Sequence, residues 1–350
     1  MKPFRVLLLP VSFFYWLVVT VRNWLFDKGI LSVTTLDVPV VSVGNISAGG
    51  TGKTPFVEFL VGKLKSMGWV PGVVSRGYGR SSKGYLVVSS RGARTVSVEE
   101  AGDEPFQMAE RLGDTTIVVD ENRVEASQRM LTETSTDCIV LDDGFQHRYL
   151  ARDLDIVLLT AKEIRHRQWL LPAGNRRESE RSLQRAGLIV ISKCDSVQEY
   201  KNCVETLADW KSKPIAGFRI EPTTLRSVKT GACIGRMSAE NIPVLIFSGI
   251  GDPESFKRSV EEFGCTVAKA IEFSDHHWYS SADIEVIWKE FGAQGAQMVV
   301  TTEKDAARLR SMREWDGKLS QQLPLYALEI VPKFISGETI VDKMIAEVKQ

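Results

Sequence analysis

A glycine-rich turn between an apolar strand and a helix constrains this chain more than any other feature. Residues 38–43 (VPVVSV) are an apolar run that predicts a buried strand ending at Gly44. Beyond the turn, Phe56, Val57, Phe59, Leu60, Leu64 and Met67 recur at helical spacing as far as Gly68, a fitting helix stop. The generic phosphate-binding loop is G-x-x-x-x-G-K-[ST]. Gly52, Lys53 and Thr54 match it, whereas Ser47 stands where the first glycine belongs. Glycines let backbone N–H groups converge on phosphate oxygens, and the helix N-terminus adds positive potential. The candidate cradle is therefore Ser47, Ala48, Gly49, Gly50, Thr51, Gly52, Lys53 and Thr54. Lys53 would neutralise the β and γ phosphates, and the Thr54 hydroxyl would ligate Mg²⁺. An ordinary glycine-rich turn leaves Lys-Thr at the helix start unexplained.

The rest of the chain uses the same alphabet. Residues 70–75, 116–119, 138–141, 154–159 and 188–192 are apolar runs, several with helical stretches between them, and residues 85–89 and 95–98 predict a hairpin joined through Ser-Arg-Gly-Ala. Continuous apolar strands alternating with helices predict an α/β fold of P-loop NTPase type, a mostly parallel sheet with helices on both faces. Past Trp210 the pattern restarts, with strands at 215–220, 244–247, 267–273 and 298–302 and helices at 254–263 and 281–291. This predicts a smaller C-terminal α/β domain, as a length of 350 residues also suggests. Ile340, Val341, Met344, Ile345 and Val348 share one helical face and predict a tail helix that packs back. The expected division is 1–30 for an N-terminal helix, 31–212 for the P-loop domain, 213–330 for the second domain and 331–350 for the tail.

The run 138–141 ends in Asp142-Asp143-Gly144-Phe145-Gln146-His147. An apolar strand ending in Asp is the Walker-B arrangement, which puts a carboxylate at the carboxyl edge of the sheet beside the phosphate loop. Adjacent carboxylates at a strand end point different ways, one toward the metal and the other toward its water shell. Gln146 and His147 lie just beyond and suit orienting a phosphate or a water. Arg76 and Tyr78 follow the second strand and so reach the same edge. Arg76 suits bidentate phosphate contact, and Tyr78 a contact with sugar or nucleotide. Their plain alternative is a solvated basic turn.

Residues 6–21 form a stretch of 16 without charge, preceded by Lys2 and Arg5 and followed by Arg22. No small-x-small site supports signal cleavage. The run is short of the about 20 residues that span a bilayer, and Pro10 is expected to break it early. A buried core helix is the plain alternative. Tyr15, Trp16 and Trp24 suit the headgroup level, and the flanking cations suit lipid phosphates. The expectation is a retained helix on a membrane surface. Lys+Arg and Asp+Glu both number 44, a zero net charge that argues against a nucleic-acid binder. Five scattered cysteines without a C-x-x-C pair argue against a disulfide framework and fit a reducing compartment.

Six segments, VGNISAGGTGKTP (43–55), SRGYGR (75–80), GDEP (102–105), LDDGFQHR (141–148), LLPAGNRRES (170–179) and FSDHHWY (273–279), carry a resemblance in order and spacing. The chain resembles the tetraacyldisaccharide 4′-kinases, the lipid A kinases, from the apolar N-terminus to about Asp305. The resemblance implies transfer of the γ-phosphoryl group of ATP to the 4′-hydroxyl of a tetraacylated glucosamine disaccharide 1-phosphate, giving lipid IV-A. It implies ATP, Mg²⁺, an acylated disaccharide lipid and the cytoplasmic face of a bacterial inner membrane, with no nucleic acid; a monomer is the expected state. By the same resemblance Asp142 and Asp143 are the Mg²⁺-site acidic pair. Arg177 and Glu178 match the family's Arg-Glu pair within the basic segment Lys162, Arg165, Arg167, Arg176, Arg177, Arg181 and Arg185, a cradle for the acceptor phosphate or the nucleotide. Asp103 would pair with a histidine of Ser274-Asp275-His276-His277 as an acid–base dyad, with His276 placed as the base and His277 its neighbour. Taken alone, Asp103 reads as an N-cap with Pro105 in the first turn. With Lys53, these are the candidate catalytic residues, and a histidine from the second domain implies a cleft and domain closure.

Ser192-Lys193-Cys194-Asp195 looks like the base-reading N-K-x-D of GTPases with Ser192 in place of Asn, so a GTPase switch is one rival. A membrane ATPase without an acceptor is another. A non-catalytic lipid-binding module leaves Lys53, Thr54, Asp142 and Asp143 unexplained.

Overall fold

A computed structural model of the chain describes residues 3–94, 96–166, 168–312 and 322–348; Lys2, Thr95 and Arg167, drawn on above, lie outside the described residues. The first strands are β1 (Val40–Asn45), β2 (Pro71–Ser75), β3 (Leu86–Ser90), β4 (Ala93–Arg94), β5 (Thr116–Val119), β6 (Cys138–Asp142), β7 (Leu154–Thr160) and β8 (Leu188–Ser192). They are followed by β9 (Ile215–Ser227), β10 (Cys233–Ile234), β11 (Pro243–Ser248), β12 (Thr266–Glu272), β13 (Met298–Thr302) and β14 (Leu325–Ser336). Together they form one sheet in the order β12-β11-β13-β14-β9-β8-β7-β1-β6-β2-β5-β3-β4, with β10 beside β9. From β8 through β5 all neighbours are parallel. These six strands are buried along their whole length, which is why their sequences run apolar without alternation.

The first helices are α1 (Leu9–Asp27), α2 (Lys53–Ser66), α3 (Val98–Ala101), α4 (Asp103–Leu112), α5 (Arg123–Glu133), α6 (Ala161–Arg165) and α7 (Val197–Thr206). The later ones are α8 (Arg236–Ala239), α9 (Pro253–Phe263), α10 (Ser281–Ala293), α11 (Glu303–Arg310) and α12 (Glu338–Glu347). Apolar clusters line both faces of the sheet. Phe56, Leu60 and Leu64 of α2 pack on one face of the parallel strands with Val341 and Ile345 of the tail helix α12, while Ala126 and Met130 of α5 cover the other. In the second half, Ile284, Ile287, Ala306 and Leu309 cover one face and Phe256, Val260 and Phe263 the other.

The two halves are joined by a ribbon. Ile215–Gly217 at the start of β9 pair with β8, and the strand then continues to Ser227 along antiparallel β14. From Gly217 to Ser227 the ribbon advances about 30 Å. There the start of β14 pairs with β13, and β13, β11 and β12 all run parallel to β14, opposite to β9. The carboxyl ends of the second set of strands therefore point back at the carboxyl ends of the first set. Loops from both halves meet in the crevice between them, where α/β sheets place their ligands.

Several sequence expectations change. The hairpin turns at Arg91-Gly92, both in the left-handed region, but its second strand is only Ala93–Arg94; Ser97 caps α3, so Val98 is helical. Pro10 does not break the N-terminal helix. It sits in the first turn of α1, where its missing N–H costs nothing, after a 3₁₀ segment Pro3–Leu8. Nor is α1 a core helix, since only Ser12 and Phe26 are buried. Strand β14 and helix α11 are additions that the periodicity reading did not contain. Ile340 on the tail helix faces solvent.

Candidate active site

The loop between β1 and α2 opens toward the crevice. Gly52 holds the helix N-cap at φ +79°, a conformation that suits glycine, and no side-chain cap closes the first turn. The first helical hydrogen bond, Phe56 N–H to the Gly52 carbonyl, is 3.2 Å long, and Pro55 has no N–H to satisfy. Cβ atoms built on Gly49 or Gly50 would meet nothing within 4 Å, so these two positions face open space. Its stem is braced. Asn45 Nδ2 donates to Thr51 Oγ1 at 2.9 Å, the Ala48 N–H donates to the Asn175 carbonyl at 2.7 Å, and Ser47 Oγ donates to Glu163. Ser47 thus uses its hydroxyl to tie the loop to the start of α6, which a glycine there would not do.

Lys53 lies 3.4 Å from Asp143 Oδ1, and Arg177 Nη1 donates to Asp143 Oδ2 at 2.7 Å. Burial works against the Asp143 anion, but these two cations outweigh it and hold its pKa below the ordinary value. Asp142 differs. Burial first, then the neighbouring Glu104 and Asp143, pushes its carboxyl up to about 7. Its Oδ2 accepts from Ser75 Oγ at 2.8 Å, and its Oδ1 is buried without a hydrogen-bond partner. A buried carboxylate oxygen left over beside a phosphate-type loop fits a divalent cation. Among the described residues no cluster of three or more His, Cys, Asp or Glu makes a closed metal cage. A Mg²⁺ site completed by a hydroxyl, phosphates and water needs none.

Asp103 is brought to the same crevice. The expected N-cap is not there: Gly102 holds the cap position at φ +88°, and Asp103 is the first residue of α4 with its side chain turned elsewhere. A Cβ on Gly102 would come within 2.9 Å of the Tyr78 carbonyl oxygen, so glycine lets the two loops touch. Asp103 Oδ2 accepts from His276 Nδ1 at 2.9 Å and from Arg308 Nη2. Burial opposes its charge, but His276 and Arg308 hold its pKa well below the carboxylate range. The hydrogen bond to Asp103 in turn raises His276. His277 is committed otherwise: Nε2 contacts Asp283 at 3.1 Å, and the ring stacks on Phe273 with centroids 4.7 Å apart. Beside Asp103, Glu104 meets Lys304 at 2.6 Å; Lys304 first and then Lys53 lower its pKa against burial.

The remaining candidates divide. Arg76 and Tyr78 are exposed at the end of β2, with the Tyr78 ring 6.2 Å from that of His276. Gln146 Nε2 donates to the Asn45 carbonyl at 2.8 Å, supporting the phosphate loop from beneath. Burial, with Arg123, Arg152 and Arg76 adding, pushes His147 down to about 3, so its ring is neutral. It lines a hollow of about 480 Å³ with Ser32, Thr34, Glu121, Asn122, Val124 and Tyr149. Glu178 is fully buried and accepts from Asn23 at 2.9 Å and Arg185 at 3.0 Å. It serves the docking of α1 rather than the crevice. In the Ser192–Asp195 segment, Ser192 is buried and Lys193 lies 3.6 Å from Asp252 of the second half.

Three residues of the crevice were missed from sequence: Glu104, Lys304 and Arg308. The signal for the last two was Thr302-Glu303-Lys304-Asp305, a capping pattern that announces a helix at the end of an apolar strand, with Thr302 Oγ1 receiving the Asp305 N–H at 3.1 Å.

The crevice is thus lined by a phosphate-type loop, an acidic strand end and an Asp–His pair drawn from both halves. A family model described as tetraacyldisaccharide-1-P 4′-kinase (LpxK) matches residues 4–349. The chain belongs to the tetraacyldisaccharide 4′-kinase family. It is 37% identical over 346 residues to the tetraacyldisaccharide 4′-kinase of Chlorobaculum tepidum, covering 98% of this chain and 97% of that one. It is 38% identical over 351 residues to the enzyme of Chlorobium limicola, with 99% of both chains covered. The crystal structure of LpxK from Aquifex aeolicus in complex with ATP matches with a TM-score of 0.80 at 35% identity, over 99% of both chains. Membership in the tetraacyldisaccharide 4′-kinases makes this chain an ATP-dependent kinase of lipid A biosynthesis, acting on the 4′-hydroxyl of a tetraacyldisaccharide 1-phosphate.

Proposed function

We propose that the crevice performs this transfer with the groups assigned as follows. The loop from Ser47 to Thr54 cradles the phosphates of ATP, and Lys53 leaves Asp143 to neutralise them. Thr54, Asp142 and Asp143 would hold Mg²⁺, which when bound offsets charge on the β and γ phosphates. Asp103 is ionised and accepts from Nδ1–H of His276, so the free lone pair of the imidazole sits on Nε2. That atom takes the proton of the acceptor hydroxyl as the oxygen attacks the γ-phosphorus, and the bond from that phosphorus to the bridging oxygen breaks to release ADP. Arg177 and Arg76 supply cations for the acceptor or the nucleotide, and Tyr78 a face for the sugar. The observation that carries the reading is the Asp103–His276 contact of 2.9 Å, formed across the crevice onto which the phosphate loop opens. Its test is transfer of label from γ-labelled ATP to detergent-dispersed disaccharide lipid. Hydrolysis indifferent to the lipid, or equal use of GTP, would overturn it.

The apolar helix supports a membrane-surface position, on the cytoplasmic face where ATP is found. Residues Arg5–Asp27 are long and apolar enough to cross a bilayer by length and composition. Yet α1 is bonded along its length to the rest of the fold. Ser12 Oγ donates to the Leu170 carbonyl at 3.1 Å, Tyr15 OH to the Arg177 carbonyl at 3.0 Å, Asn23 to Glu178, and Asp27 pairs with Arg148 at 2.7 Å. Ser12 to Asp27 covers about 22 Å of helix axis. A helix pinned over that distance lies beside the domain, with Leu7, Val11, Phe14, Val18 and Val21 as an exposed stripe at helical spacing.

A further inference from the structure

Arg308 is the largest fully enclosed side chain among the described residues, and no step above uses it. It reaches the dyad from α11. Its Nη2 donates to Asp103 Oδ2, the same oxygen that receives His276 Nδ1, and lies 3.3 Å from that ring nitrogen. Its Nη1 donates to Asp305 Oδ1 at 3.0 Å and to the Gly249 carbonyl at 3.1 Å. The Gly249 carbonyl also accepts the backbone N–H of His276 at 3.0 Å, and the Gly249 N–H donates to Asp305 Oδ2 at 3.1 Å. One peptide unit at the end of β11 therefore fixes both the histidine and the arginine. His276 holds a left-handed backbone, φ +59°, which a residue with a side chain adopts at a cost where its surroundings enforce it.

This arrangement meets a chemical need. A general base must be neutral before it can accept a proton, and a buried carboxylate beside an imidazole favours the imidazolium. With Asp103 alone facing it, His276 would be drawn further toward the imidazolium. The other groups that face the ring are Asp275, whose Oδ1 is 3.9 Å from Nε2, the Tyr78 ring, and Arg308. Behind Asp103, Lys304 is already matched by Glu104. Arg308 is thus the cation that contacts the shared oxygen directly, and it opposes the rise that Asp103 imposes on His276.

We propose that Arg308 is a positioning residue that tunes the base: by sharing Asp103 Oδ2 with His276 it weakens the hold of that carboxylate on the imidazolium and fixes Nε2 as the proton acceptor. This rests on the reading of His276 as the base. It is tested on the whole protein by the pH dependence of kcat for lipid phosphorylation and, separately, by the NMR titration of the His276 ring without substrates.

In Arg308→Gln the acidic limb of kcat and the ring titration should both move up by about one pH unit. Activity then falls about tenfold on the acidic side and recovers toward wild type on the alkaline side. Arg308→Lys keeps a charge but not the fork, and should bring the limb most of the way back. Asp305→Asn removes the carboxylate that competes for Arg308 and should move the limb down, which keeps the proposal testable if Arg308→Gln does not fold. A loss equal at all pH values, or an unmoved His276 titration in the variants, would overturn the proposal and leave Arg308 a structural staple. Absence of any acidic limb in the wild type would instead overturn the base assignment itself.

Discussion

In the half of the sheet that carries Lys53, the candidate groups leave the ends of strands buried along their whole length. In the half that carries His276, they sit in a loop with a strained backbone and on a helix that reaches across the seam. The seam between the halves is held largely by charge. Asp103 meets Arg308, Glu104 meets Lys304, Glu110 meets Arg310, and Arg111 of α4 receives Glu303 at 3.5 Å and Glu329 at 3.0 Å. Apolar packing fixes a position with little tolerance, whereas paired charges can be exchanged for water or phosphate at small net cost. The side proposed to take the nucleotide is therefore ready-made, and the side proposed to carry the base is delivered to it.

The largest effect that would test this contrast is at Lys53. Lys53→Ala should lower kcat by on the order of 10⁴-fold and weaken ATP binding as well, measured by lipid phosphorylation and nucleotide titration. Activity near wild type would remove the phosphate-loop assignment. Substitutions on the other side should separate the two quantities. Asp103→Ala and His276→Ala should each cost about 10²–10⁴ in kcat while ATP affinity is kept, and the double variant should cost little more than either single one. Simple addition of the two losses, or a parallel loss of ATP binding, would mean that the halves are not functionally divided.

A smaller effect concerns the exposed apolar face of α1, proposed to meet lipid. Phe14→Glu with Val18→Glu alters exposed positions away from the bonds that dock α1. Each loses about 1.5–3 kcal/mol of apolar burial, so binding to anionic vesicles in co-sedimentation should fall by at least about tenfold. Unchanged binding would place the membrane contact elsewhere.

The smallest effect is at the seam. Glu58 of α2, Glu303 of α11 and Glu329 of β14 converge on Arg111. Burial pushes Glu303 up to about 8 and Glu58 up to about 7, each opposed by Arg111. A carboxyl raised on folding binds more protons folded than unfolded, so stability falls as pH rises from about 4.5 toward 8. Glu303→Gln removes one such group and should flatten that decline, raising Tm at pH 8 by about 2–4 °C in thermal scans. A lower Tm at pH 8 would show that the Glu303 charge holds the halves together.

What could be read from the sequence divides along the same line. The parallel strands were legible because burial on both faces leaves a continuous apolar run, and the phosphate loop because glycine and Lys-Thr spacing follows from backbone geometry. The ribbon was not. Residues 215–220 read as a short strand, yet β9 runs on through Glu221, Thr223, Thr224 and Arg226, which a half-exposed ribbon tolerates. β14 carries Pro332 and charges that mask its alternation. Helix α11 is Lys, Arg, Asp and Ala rich, too polar for an amphipathic reading, because Asp305 and Arg308 pair on its buried side while only Ala306, Ala307 and Leu309 supply apolar burial. The Asp103–His276 pair was reachable through resemblance alone: 173 residues separate the two, and only the reversal of strand direction at the ribbon closes that gap.

Two consecutive residues face opposite duties. Arg177 donates to Asp143 beside Lys53, while the next side chain, Glu178, is held by Asn23 of the apolar helix. On the proposed reading, the peptide link between them makes the seat on the bilayer and the charge balance at the phosphates parts of one lever. Trimming the greasy N-terminus to obtain an easily handled enzyme would then blunt catalysis even toward a water-soluble acceptor, because the arginine would lose its footing along with the membrane.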